Sequence, residues 1–258
     1  MNIILLNAVS SEWLKLKRSA VLRLTIAGAF VVPVIMIIAA FASPDIYAEG
    51  VGNENFWIKH YNGSWQFMNM FLLPLGIILI ISLLLQLEHS NNGWRQQQLL
   101  PVKPAVTFVS KFVLILILAL LFVTLFSIGI YISGVLPAAF MSGIDLPAGE
   151  FPFLRILKRS LLLTAACLPV VTLQFMLCML FRNFMLPMGI GIALFVASLI
   201  SVSWKYGGAL PYTWPALEFM QTNVASAYLY PQGWIPYTYS AAFLLIGFII
   251  YRIRKIKD

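Results

Sequence analysis

Long apolar runs separated by short polar breaks dominate this chain. Six stretches, roughly 24–42, 67–87, 112–135, 160–181, 184–203 and 235–251, each approach the length that crosses a bilayer, about twenty apolar residues at 1.5 Å of rise each. Backbone groups in lipid find partners only inside a helix or a closed barrel. The runs are continuous rather than alternating, which selects helices over barrel strands. The pattern therefore predicts an all-α, polytopic membrane protein with six transmembrane helices in one transmembrane domain, residues 1–258. Pro33 marks a kink in the first span, Pro74 falls near the start of the second and Pro169 lies inside the fourth.

Two further segments carry a pattern of their own. In 2–20, Leu6, Val9, Trp13, Leu16 and Ala20 recur at three- and four-residue steps, and Asn7, Ser11, Lys15 and Arg18 occupy another face. This predicts an amphipathic interfacial helix, with Trp13 at the headgroups and Lys15, Lys17 and Arg18 toward anionic lipid. The alternative is an extension of the first span. Segment 204–234 is broken by Pro211, Pro215 and Pro231 and studded with Tyr206, Tyr212, Trp214, Tyr228, Tyr230 and Trp234. That composition predicts short re-entrant or interfacial helices before the last span, against the alternative of an irregular outer loop. Gly189, Ala193, Ala197 and Ser201 step by four along the fifth span, a small-residue stripe that suits packing within the monomer or against a second copy.

Composition sharpens this picture. Hydrophobic residues make up 61% of the 258 and charged residues 10%, against about 25% charged in soluble domains. Six spans and their connections leave no room for a soluble catalytic domain of roughly 100 residues. Cys167 and Cys178 are eleven residues apart in one predicted helix, about 16 Å of rise and too far to bond to each other. The apolar run Ile3–Leu6 is too short for the core of a signal peptide.

The net charge of +8 reads as a topology signal rather than a nucleic-acid footprint, because the basic residues flank the spans. With the N-terminus, segment 88–111, Arg182 and the C-terminus on one side, that side holds twelve Lys and Arg and the other five. Both termini are therefore expected in the cytoplasm. Arg155, Lys158 and Arg159 run against the rule. They either line an outer vestibule or belong to a helix that starts earlier and dips into the interface.

Catalytic chemistry is sparse. The predicted spans carry no Asp, Glu, Lys or Arg in their middles, which argues against a carrier built on buried carboxylates. There is no HExxH, and His60 and His89 are far apart in sequence, so no metal site is expected. No GxxxxGK[ST] loop occurs, so energy for active transport must come from another subunit. No cofactor is expected. The most distinctive polar segment is 88–111, EHSNNGWRQQQLLPVKPAVTFVSK. Residues 93–100 can form a short helix stopped before Pro101, with Trp94 placed to fill a partner's pocket and Glu88 to accept from its Arg or Lys.

Taken together, SEWLKLKRS before the first span, the Glu-led segment between spans two and three, and the aromatic, proline-broken stretch before the last span resemble the permease subunit of an ABC-2 type transporter. Segment 88–111 is similar to the corresponding stretch of the lantibiotic-immunity branch, where an acidic residue, a tryptophan and a proline before basic residues recur in that order. The resemblance implies two permease subunits, identical or related, above a pair of ABC ATPase subunits, and ATP-driven export of a hydrophobic or amphipathic substrate. In that branch the substrate is an antimicrobial peptide. It further implies ATPase contact through Glu88, His89, Trp94 and Arg95, and an interfacial anchor of Trp13, Lys15, Lys17 and Arg18. The outer acids Asp45, Glu49 and Glu54 suit either a cationic peptide or a solvated loop. Two other readings stand beside this one: a membrane-embedded lipid-modifying enzyme, and an assembly or sensor component that transports nothing.

Overall fold

The computed structural model describes residues 2–17, 19–90, 103–181, 183–223 and 234–257. Their regular elements are helical: α1 (Asn2–Leu16), α2 (Ala20–Ala42), α3 (Pro44–Val51), α4 (Phe56–Phe67), α5 (Leu73–Ser90), α6 (Pro104–Phe140), α7 (Phe153–Ala166), α8 (Leu168–Leu180), α9 (Met185–Ser201), α10 (Trp214–Asn223) and α11 (Ile235–Lys257). A π-helical turn, Met68–Leu72, joins α4 to α5, and two 3₁₀ turns precede α10. Among the described residues five stretches are long and apolar enough to cross a membrane: Ala20–Ala42, Phe56–Leu87, Pro104–Phe140, Phe153–Leu180 and Ile235–Ile253. Met185–Ser201, at the place of the fifth expected span, is a shorter apolar helix of 17 residues. Its length is about 25 Å, a little under the hydrocarbon thickness of about 30 Å.

The helices differ from the sequence expectation where polar residues hide a periodic face. The stretch 43–65, between the first two expected spans, carries α3 and nearly all of α4. Lys59, His60, Asn62, Gly63 and Gln66 depress its hydropathy, yet Phe56, Trp57, Tyr61 and Trp65 line one buried face of α4. Helix α6 likewise starts eight residues before the expected 112, with Pro104 in its first turn, where a missing N–H costs nothing. The fourth span is two helices. Its chain breaks at Cys167, two residues before Pro169, whose ring cannot continue the preceding helix. Arg155, Lys158 and Arg159 lie on α7, which begins at Phe153, and Arg159 sits 5.8 Å from the Tyr61 ring centre. Pro33 stays inside an unbroken α2. Its ring occupies a notch that only glycine leaves open, since a Cβ at Gly129 of α6 would lie 2.7 Å from it.

Two large apolar clusters organise the bundle. One gathers Leu16, Val21, Leu85, Phe108, Phe175 and Tyr251. It sets α1, the start of α2, the end of α5, the start of α6 and the last turns of α8 and α11 at one end of the molecule. The other joins Val32, Tyr61, Trp65, Phe126, Ile130 and Leu163 toward the opposite end. Both cysteines are free and buried.

The proline-broken segment after α9 turns back into the bundle. Tyr212, Trp214 and Leu217 are buried. The Tyr212 hydroxyl donates to Gln174 Oε1 at 2.8 Å, while Gln174 Nε2 donates to Ser82 Oγ at 3.0 Å and to the Pro187 carbonyl at 3.1 Å. One fully buried amide thus ties α5, α8, α9 and the returning segment, and its hydrogen-bonding capacity is used at both ends. Asn69, in the π turn, donates to the Pro215 carbonyl at the start of α10. These bonds hold the short helical pieces in the re-entrant arrangement expected before the last span; Tyr228 and Tyr230 lie outside the described residues.

Candidate functional site

At the α1 end of the bundle, a charged pair is buried where the chain returns from segment 91–102 into α6. Lys111 lies two turns inside α6 and is only 2% exposed. Its Nζ donates to Glu12 Oε1 of α1 at 3.1 Å, and Lys15 Nζ donates to the same oxygen at 3.0 Å. Burial alone raises the Glu12 carboxyl, but the ammonium groups of Lys111 and Lys15 outweigh it and hold it below its ordinary value. Leu16, one turn on from Glu12, is buried, and the Ser19 hydroxyl returns to the Leu16 carbonyl at 3.0 Å, closing the turn between α1 and α2. Breaking the chain there makes α1 a separate helix rather than an extension of α2.

A lowered folded-state value fixes the sign of the pH dependence. The stability that Glu12 contributes is fully present above its ordinary value near 4.5 and is lost as pH falls through the lower folded value. Thermal stability in detergent should accordingly be flat from pH 8 to about 5 from this source and fall below it. In Glu12→Gln the acid-side fall should be shallower; an unchanged profile would remove Glu12 from the account.

The foot of α6 also anchors two other helices. The Phe108 ring lies 5.2 Å from Phe175 of α8, and 5.4 and 5.9 Å from Phe248 and Tyr251 of α11. Edge and tilted aromatic contacts at such distances contribute about 0.5–1.5 kcal/mol each beyond area burial. One turn of α6 therefore holds α8 and α11 through Phe108, and the next holds α1 through Lys111. Displacing the start of α6 displaces all of them.

Residues 8–198 match the family model described as ABC-2 family transporter protein. The chain belongs to the ABC-2 transporter family. It is thus a multi-pass permease of an ABC transporter, a transport subunit that works with an ABC ATPase. Neither a curated protein nor a solved structure matches it.

The residues singled out in the sequence are placed unevenly around this site. Glu88 and His89 fall in the last turn of α5, where the backbone alone is described; Trp94, Arg95 and Arg18 lie outside the described residues. Trp13 is half-buried against the cluster containing Leu16 and Phe108, and Lys17 is exposed beside the break between α1 and α2. The apolar face expected for α1 is rotated: Leu6 is 67% exposed, while Glu12 and Leu16 are buried. Glu12 and Lys111 are the residues the sequence reading missed. Glu12 belongs to neither face read on 2–20, and Lys111 closes the polar segment 88–111. A signal was present, because Glu12 sits three and four residues from Val9 and Leu16, and Lys111 from Phe108 and Ile115. A charge centred on an apolar helical face calls for a buried counter-charge.

Among the described residues no group of His, Cys, Asp and Glu is arranged to hold a metal ion. Asp45, Glu49 and Glu54 are exposed on the connection between α2 and α4. Gly189, Ala193 and Ala197 are exposed on α9, whereas Pro187, Gly191, Phe195 and Ser198 form its packed face. Ser201, the last residue of the stripe, is half-buried, so among the described residues the stripe's first three members are left uncovered.

Proposed function

We propose that this chain is the membrane pathway of an ATP-driven exporter that removes a hydrophobic or amphipathic substrate from the membrane, an antimicrobial peptide in an immunity role. In this reading both termini face the cytoplasm of a bacterial cell. A pair of ABC ATPase subunits grips the segment that begins at Glu88 and His89 and continues through Trp94 and Arg95. The observation that carries the proposal is the buried Glu12–Lys111 pair, 3.1 Å apart, two turns above the point where that segment enters α6. A push on the segment reaches α6 first. The ion pair passes it to α1, and Phe108 passes it to α8 and α11, so closure of the ATPases shifts four helices together. Trp13, Lys15, Lys17 and Arg18 hold α1 at the lipid headgroups, which gives that movement a fixed reference. A second permease subunit, the same chain or a related one, packs on the exposed Gly189–Ala193–Ala197 stripe, where small side chains allow close backbone approach.

The test is association. Mild-detergent purification of the full chain from its native membranes should retrieve a P-loop ATPase in stoichiometric amount. Glu88→Ala with Trp94→Ala should cut the retrieved ATPase at least tenfold without changing the amount of permease. Undiminished retrieval would remove these residues from the contact, and the absence of any ATPase would remove the proposal. Cells lacking the chain should become more sensitive to an antimicrobial peptide, and unchanged sensitivity would remove the immunity role.

A further inference from the structure

A cleft of about 600 Å³ lies among α2, α5, α6 and the α7–α8 joint. Its size falls in the range of about 300–1,000 Å³ typical of small-molecule sites. Small residues open it: Gly28, Ala119, Ala165 and, above all, Gly76, around whose missing Cβ there is nothing within 4 Å. Its back wall is buried, with Ile81, Ile115 and Leu118 each under 5% exposed. Its rim residues Leu24, Leu75 and Leu161 are exposed, so it opens sideways onto the lipid-facing surface.

The chemistry of the lining is selective. Its two threonines turn their hydroxyls back on their own helices, Thr25 to the Val21 carbonyl at 2.9 Å and Thr164 to the Ser160 carbonyl at 2.7 Å. Cys167 donates in the same way to the Leu163 carbonyl. The cleft therefore offers an occupant mainly dispersion contacts, with the hydroxyl and thiol hydrogens of Thr25, Thr164 and Cys167 already committed to their own helices. Among the described residues, the charge that adjoins the lining in sequence stands at its α1 end. Arg23 adjoins the rim residue Leu24, and Lys17 lies at the break just before α2; both are exposed, and neither has an acidic partner among the described residues. An apolar slot whose first lining residue, Leu24, follows directly on Arg23 and lies seven residues beyond Lys17 matches an amphiphile with an anionic head and a hydrocarbon tail.

We propose that the cleft is a lipid site, holding one acyl chain of an anionic phospholipid from the leaflet at the α1 end, with the phosphate against Arg23 and Lys17. The site lies beside the α1–α6 junction and asks nothing of the ATPase, so it stands or falls independently of the exporter reading. An ordered tail completes the packing between α2 and α5 that the glycines leave open.

The experiment uses the full chain in vesicles doped with phosphatidylglycerol bearing a photoactivatable group on one acyl chain. Peptide mapping should place the adducts on the α2 and α5 residues of the cleft. Gly76→Phe, whose Cβ would have no atom within 4 Å, places a ring in the cleft and should lower cleft labelling at least fivefold, with Gly76→Leu as a smaller filler should the larger one fail to fold. Gly50→Phe, equally unobstructed but outside the cleft, should leave labelling unchanged. Lys17→Gln with Arg23→Gln should erase a preference of several-fold for phosphatidylglycerol over phosphatidylcholine. The proposal is overturned by cleft labelling that survives Gly76→Phe or Gly76→Leu, by equal labelling from the two headgroups in the unaltered protein, or by a disulfide between copies of Leu75→Cys that excludes the probe.

Discussion

Replacing Lys111 by methionine is expected to lower the stability of the folded chain by about 3–5 kcal/mol, because it strands the Glu12 carboxylate in a site closed to water. Lys15 remains beside that carboxylate, but its side chain is half exposed, and a pair of that kind contributes about 0–1 kcal/mol. The partner experiment decides the interpretation. Glu12→Leu combined with Lys111→Met removes both charges, and such replacements of buried pairs are often neutral or stabilising by about 1–4 kcal/mol. Thermal unfolding in detergent should therefore show a deep loss in the single variant and near-complete recovery in the double. A single variant within about 1 kcal/mol of the unaltered protein would mean that water reaches the pair. The recovered double variant then addresses function, since an apolar contact slides where an ion pair does not. On the coupling proposal it folds and binds the ATPase yet transports more slowly than the unaltered chain.

The second large effect is expected at Gly191. A methyl group there would lie 2.5 Å from Gln174 Oε1 and 3.0 Å from Ile78 Cγ2, so Gly191→Ala must drive the amide from its partners. Hydrogen bonds between membrane helices average about 0.6 kcal/mol and reach about 1.7. Three of them give about 2 kcal/mol, and overpacking adds about 1–3. A loss of roughly 3–5 kcal/mol should appear in thermal unfolding. Gln174→Ala removes both the obstacle and the bonds, so adding Gly191→Ala to it should cost little more. Additive losses, in place of that coupling, would show that the two residues do not meet.

The spans were legible in the sequence because lipid makes hydropathy a nearly sufficient signal, and the re-entrant pieces because prolines and aromatics announced them. What escaped was carried by polar residues. Helix α4 went unread because Lys59, His60 and Gln66 dilute the apolar average, although Phe56, Trp57, Tyr61 and Trp65 keep helical register. Lys111 escaped because a lysine beside an apolar run is ordinarily a boundary, and only a counter-charge from a distant helix lets α6 continue through it. Gln174 escaped for the opposite reason. One amide in a span carries no pattern, and its partners at Ser82, Pro187 and Tyr212 are brought together only by the fold.

The π turn at Met68–Leu72 and the break at Cys167 occur side by side, since Cys167 Sγ reaches Asn69 Oδ1 at 3.9 Å while the Asn69 amide holds the start of α10. Irregular hydrogen bonding at such places bends more readily than a continuous ladder. Two neighbouring rods that are each jointed at one depth bend as a pair, like fingers flexing at aligned knuckles. Any tilt of their far halves carries the mouth of the returning segment with it, while the near halves keep their footing.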